Sequence, residues 1–90
     1  MTTLIGYHEI DDHEHWLASP KRAELFGPLG VNVRTFLDPE NPKRAAVLLE
    51  VPDFAAFQEA LESEAAAEAM IYDGVHADTL VILAEVHPPA

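Results

Sequence analysis

The sequence predicts an α+β fold in which one four-stranded antiparallel sheet carries two helices on a single face. Three observations predict it. Segments of period-two apolar alternation and segments of helical spacing follow one another as strand–helix–strand–strand–helix–strand. Residues with capping side chains stand where the helices should begin. Ninety residues, 49% of them apolar, can build one small core, so residues 1–90 read as a single domain.

The first strand is "TLIGYHEI", Thr3 to Ile10, rich in β-branched, aromatic and apolar side chains. Asp12 is the N-cap of a short helix, "HEHWLAS". Ser19-Pro20 restarts that helix, with Ser19 as cap and Pro20 suited to the first helical position; the second piece ends at Gly27-Pro28. "VNVRTFL" and "RAAVLLEV" are the second and third strands, joined through "DPENPK", a connection slightly longer than a tight turn. Pro52 ends the third strand and Asp53 caps "FAAFQEAL", whose Phe54, Phe57 and Leu61 recur at helical spacing. Ser63 restarts this helix too, and Ala67, Met70 and Ile71 form its apolar edge. Asp73-Gly74 is a turn, "TLVILAEV" the last strand, and Pro88-Pro89 closes the chain. Two such half-units form a ferredoxin-like βαββαβ sheet with both helices on one side.

The strands carry a second message. Leu80, Ile82, Ala84 and Val86 alternate with Thr79, Val81, Leu83 and Glu85, so both faces of the last strand are apolar. In the third strand Ala46 and Leu48 oppose Val47 and Leu49 in the same way. Helices cover one face only, so the other calls for a cover, and a second copy of the sheet is the simplest one.

Sixteen acidic against five basic residues give a formal charge of −11, which repels phosphate backbones and anionic lipids. Nucleic-acid and membrane partners are therefore not expected. The absence of cysteine excludes disulfides, thiolate nucleophiles and thiolate metal sites. No apolar run approaches the roughly 20 residues of a bilayer span, and "MTTLIGYHEI" does not read as a signal peptide, so a cytoplasmic protein is expected.

"HEIDDHEHW" invites a metal reading. His13 and His15, however, stand at i and i+2 on a helix and point to opposite sides, whereas a helical chelate needs i and i+4. Asp12 is engaged as a cap and Glu14 suits the first turn. No metal and no cofactor is expected, and no phosphate loop or Ser/His/Asp signature occurs.

The chain resembles small members of the dimeric α+β barrel superfamily, whose subunits pair sheet to sheet. It is similar in particular to short bacterial proteins with a first strand ending in His and an Asp-capped helix bearing Trp, here His8, Asp12 and Trp16. The likeness extends through "DPENPKRAAVLLEVPD" and "SEAAAEAMIYDGV". It implies a homodimer. The superfamily includes cofactor-free monooxygenases, polyketide cyclases, lactone isomerases, haem enzymes and proteins without known activity, and its cyclases and monooxygenases use the space between sheet and helices for aromatic or polyketide-like substrates.

Period two places His8 on the helix-covered face with Leu4, Gly6 and Ile10. There it is either a core histidine bonded to a carbonyl or the acid–base group of a pocket. Gly6 leaves room for a ligand, and Trp16 is either the chief core aromatic or the pocket wall. Tyr72 and His76 flank the Asp73-Gly74 turn: Tyr72 could donate to a substrate carbonyl, and His76 could partner His8. Arg34, the one basic residue inside a strand, either pairs with Glu50 or Glu9 or captures a substrate carboxylate; Lys21-Arg22 read as surface. The reading that follows is a homodimer binding a small apolar or aromatic metabolite, with cofactor-independent cyclisation or isomerisation as its catalytic form. A non-catalytic homodimeric interaction protein and a cofactor-free monooxygenase are the alternatives.

Overall fold

Strands β1 (Thr2–Glu9), β2 (Asn32–Leu37), β3 (Arg44–Val51) and β4 (Val81–Ala84) form one sheet in the order β2-β3-β1-β4, every neighbour antiparallel. The structure is a computed structural model that describes residues 1–86, so the expected close at Pro88-Pro89 lies outside the described residues. Between the strands run α1 (His13–Ala18), α2 (Lys21–Phe26), α3 (Phe54–Leu61) and α4 (Glu64–Asp73). This is the ferredoxin-like arrangement, with each expected helix divided in two.

The divisions fall where the capping residues stand. Asp12 accepts the backbone N–H of Glu14, Ser19 that of Lys21, Asp53 that of Ala56 and Ser63 that of Ala66. Each bond satisfies an amide that the first turn of a helix leaves without a partner. In the β2–β3 connection Asp38 and Asn41 accept the amides of Glu40 and Lys43, which fixes the turn without helix or sheet.

Alternation along β1 buries Leu4, Gly6 and His8, and Ile10 continues the series as a single bridge to Val75. Ala45, Leu49 and Val51 present the same face from β3. Two apolar clusters form against it. One joins Leu4, Leu49 and Val51 to Phe26 and Phe57; the other joins Ile10 and Ala45 to Trp16, and Val47 packs on both. Fully burying each large side chain contributes about 1.5–3 kcal/mol, so Phe57 and Trp16 hold the helical layer to the sheet.

Two expectations are corrected. The last strand is shorter than "TLVILAEV" suggests, because Ala77–Thr79 form a 3₁₀ turn in which the Thr79 hydroxyl donates to the His76 carbonyl and accepts the Glu9 amide. The apolar alternation begins before the ladder does. The inner edge of α4 is also not Ala67, Met70 and Ile71. Ala66 is buried and Asp73 is 4% exposed, while Ile71 is 80% exposed. Helical spacing from Ala66 runs to Met70 and Asp73, so the true face includes a carboxylate that a purely apolar reading passes over.

On the opposite face Ile5, Tyr7, Phe36, Val81 and Leu83 are all exposed. Arg34 belongs to this face: it pairs in register with Leu48, and its guanidinium lies 5.6 Å from the Phe36 ring centre. The register sets Asn32, not Arg34, opposite Glu50.

Candidate functional site

The two apolar clusters do not close completely on each other. A cavity of about 90 Å³ lies between the sheet and the helices α2 and α4. Its floor is a row across three strands, Val47, Gly6 and Ile82, with Gly6 in register with both neighbours. A Cβ built on Gly6 would meet Val47 Cγ2 at 3.5 Å, so glycine leaves a gap of one methyl there. Phe26, Phe57 and Met70 complete most of the apolar wall.

Four polar or aromatic side chains give the cavity its chemistry. His8 is 8% exposed and stands edge-on to Trp16, ring centres 5.7 Å apart. Its Nδ1 lies 3.4 Å from the Glu9 carbonyl, which also receives the His76 amide at 2.9 Å. A carbonyl only accepts, which assigns the proton to Nδ1 and leaves Nε2 with a lone pair. Nε2 has no hydrogen bond among the described residues. Burial lowers the His8 pKa below its ordinary 6.5; Arg22 and His76 add to the effect, while the Glu9 bond and Asp73 oppose it. His8 is thus a neutral imidazole, basic at the ring nitrogen left unpaired.

Arg22 and Asp73 are the residues the sequence did not expose. Arg22 is not a surface residue: its guanidinium stacks on Trp16 at 4.4 Å, donates to the Trp16 carbonyl at 2.7 Å and reaches Asp73 Oδ2 at 3.4 Å. Burial lowers its pKa from the ordinary value, with Asp73 opposing. Asp73 is the last residue of α4, followed by Gly74 in the left-handed region at φ 72°, where a Cβ would crowd Asp11. Asp73 Oδ1 is buried and has no hydrogen-bond partner among the described residues. The phase of α4 was the available signal, since Asp73 lies three residues beyond Met70 on the inward face.

Tyr72 and His76 are not brought into this cavity. Tyr72 is exposed, its carbonyl accepting from His15 Nε2 at 2.7 Å and its ring facing His15 and Lys21. His76 partners Asp11, not His8: its Nε2 is 2.6 Å from Asp11 Oδ1, and its Nδ1 lies 3.8 Å from Glu9. The Asp11 hydrogen bond, helped by the charges of Asp11, Glu9 and Asp78, raises the His76 pKa above 6.5 against an opposing desolvation. Arg34 is on the other face of the sheet. The structure therefore unites Gly6, His8 and Trp16 and separates them from Tyr72, His76 and Arg34. Among the described residues no group of three His, Asp or Glu side chains is arranged to hold a metal ion, and no helix is long and apolar enough to cross a membrane.

The same architecture recurs in solved structures. An antibiotic biosynthesis monooxygenase superposes with a TM-score of 0.64 at 19% identity, covering 99% of this chain and 100% of its own. A protein of Bacteriodes thetaiotaomicron VPI-5482, provisionally given the same name, has a TM-score of 0.67 at 19% identity over 96% of this chain and 88% of that one. A conserved protein from Methanosarcina mazei Go1 has a TM-score of 0.64 at 12% identity, covering 93% and 89%. What the chain shares with them is the fold. That fold is the ferredoxin-like one the sequence predicts. No protein-family model matches the chain, and no curated protein matches it in sequence.

Proposed function

We propose that the protein is a cytoplasmic homodimer that binds a small aromatic or apolar metabolite between sheet and helices. In its catalytic form His8 acts as a general base in a cofactor-free isomerisation or cyclisation. The observation that carries this reading is His8 itself, a buried neutral imidazole with Nε2 unpaired among the described residues, in a mostly apolar cavity walled by Trp16. Such a nitrogen can take a proton from an acidic C–H or O–H of a ligand and return it at another position. The Glu9 carbonyl at Nδ1 supports the imidazolium formed in between, whereas the favourable charge of Asp73 is outweighed by that of Arg22 beside it. Trp16 presents a flat apolar wall to an aromatic ring.

The dimer reading rests on the uncovered sheet face. Ile5, Tyr7, Phe36, Val81 and Leu83 form one apolar surface across all but one of the strands, and β3 adds Ala46 and Leu48 in register. A second copy of the same sheet covers it with matched chemistry.

Cofactor-free oxygenation is a second reading, favoured by what the structural neighbours are called. It needs the same proton abstraction, from a substrate whose carbanion can pass an electron to oxygen. One experiment tests the shared step. Aromatic and polyketide-like compounds are screened by thermal shift against wild type, His8→Gln and His8→Phe. Stabilisation of wild type that is lost in His8→Phe supports the site. Ligand stabilisation undiminished in His8→Phe removes His8 from it, and no shift with any compound favours a non-catalytic dimer.

A further inference from the structure

The cavity has a polar oddity that proton transfer by His8 does not use. Asp73 terminates α4, where the helix dipole opposes a negative charge, and it is buried beside apolar side chains. Its salt bridge is one-armed. Arg22 reaches Oδ2 at 3.4 Å while its other terminal nitrogen is committed to the Trp16 carbonyl, so the pair lacks the two parallel bonds of a full guanidinium–carboxylate fork. Oδ1 is left with no partner among the described residues, in a side chain that lines the cavity. Buried polar atoms are almost always satisfied, and an exception on the wall of a cavity marks a place for a missing donor.

We infer that Asp73 Oδ1 is the anchor of the cleft and selects an uncharged ligand bearing a hydroxyl donor, a phenol or enol, that bonds to it. This rests on the small-molecule reading above and names the ligand class for it. The chemistry excludes the opposite class. A carboxylate ligand would meet Asp73 at close range, and Arg22, the cation that could receive it, is already paired with Asp73 and the Trp16 carbonyl. Size limits the group that enters. A dry cavity of roughly 150 Å³ accepts benzene, so a space of about 90 Å³ takes one ring only if its walls give slightly. Lys21, Leu25 and Ala69 line this cavity and also a surface groove between α2 and α4, which gives the rest of a larger ligand a way out.

Trp16, the single tryptophan, stands in the cavity and reports occupancy by its fluorescence. Phenol, toluene and benzoate are titrated against the full chain and against Asp73→Asn. Phenol should bind about tenfold more tightly than toluene, the difference made by one buried charge-assisted hydrogen bond, and benzoate should not bind. In Asp73→Asn the single amide oxygen stays with Arg22, which turns the amide NH₂ towards the place of Oδ1. A neutral donor then replaces the charged acceptor, the charge-assisted bond from the phenol hydroxyl is lost, and the tenfold preference for phenol should collapse while toluene still binds. Equal binding of phenol and toluene to wild type overturns the anchor and leaves the small-molecule reading standing. Benzoate binding as tight as phenol overturns it in favour of an anion site at Arg22, and a phenol preference that persists in Asp73→Asn overturns it as well. Failure of all three probes to bind wild type overturns both proposals together. Should Asp73→Asn not fold, intermolecular NOEs on wild type decide: bound phenol in contact with the Asp73 β-protons supports the anchor, and contact with the His8 ring alone overturns it.

Discussion

Replacing Arg22 with Met keeps most of the side-chain stem and removes the charge. In the folded protein this strands Asp73, whose Oδ2 has Arg22 as its ion-pair partner, and leaves the Trp16 carbonyl without its 2.7 Å donor. Breaking a buried pair from one side costs about 3–5 kcal/mol. Arg22 retains 17% side-chain exposure, so water reaches the gap and the lower end applies. The thioether recovers part of the stacking on Trp16, about 0.3–1.5 kcal/mol, and the expected net loss is about 2 kcal/mol. In a chain of this size that lowers Tm by about 8–16 °C. Asp73→Leu removes the orphaned oxygen together with the charge and should cost less than Arg22→Met. The double variant Arg22→Met/Asp73→Leu replaces the pair with apolar volume and should melt near wild type or above it. Urea or thermal unfolding of all four proteins at one fixed concentration closes the cycle. The double variant should also have lost ligand binding, because a pair kept for function costs stability. A coupling below about 0.5 kcal/mol would refute the reasoning: Arg22 and Asp73 would then behave as solvated surface charges.

Other expectations are more direct. Val81→Asp places a charge on the uncovered apolar face, beside Tyr7 on the edge strand β4, and light scattering should report the mass of one chain for the variant and of two for wild type. Gly6→Ala should fold with wild-type stability, because its methyl meets Val47 at an ordinary 3.5 Å, but ligand affinity should fall as the floor of the cavity rises. The two shifted histidines act on stability in opposite directions. His8 has a lowered pKa in the folded chain, so its neutral form supports folding above the unfolded value of 6.5, and that support is lost as pH falls. His76 has a raised pKa, so its contribution is complete below 6.5 and is lost as pH climbs through the folded value. Melting curves across pH should therefore lose part of their acid-side decline in His8→Phe and part of their alkaline-side decline in His76→Gln, and NMR titration of the two imidazoles should place His8 below His76.

What could be read from the sequence was local. The caps at Asp12, Ser19, Asp53 and Ser63 act on amides two or three residues away, so residue type and position sufficed. Alternation along β1 fixed the face of His8 because a strand has period two wherever it pairs. The extent of β4 was not legible, since the apolar pattern continues through Thr79 and Leu80 while the chain there is held by a turn. The Arg22–Asp73 pair spans 51 residues; Arg22 carries no local sign of burial, and Asp73 carries only the phase of α4. Reading both as charged residues on a turn or a helix start is the ordinary inference, and the register of two helix segments overrides it.

That register has a cause in the chain, and the cause is Pro20. In an uninterrupted helix the amide of residue 20 would donate to the carbonyl of Trp16. Proline has no N–H to give, and the Ser19 amide reaches that carbonyl only at 3.4 Å. The vacant acceptor is taken by Arg22 at 2.7 Å, which draws the guanidinium inward across the Trp16 ring instead of out to solvent. Only from that position does it meet Asp73 at the end of α4. With one nitrogen held by the Trp16 carbonyl, it meets the carboxylate on one oxygen and leaves the other unpaired. The helix break, the buried cation and the unfilled acceptor are thus successive consequences of one missing amide proton.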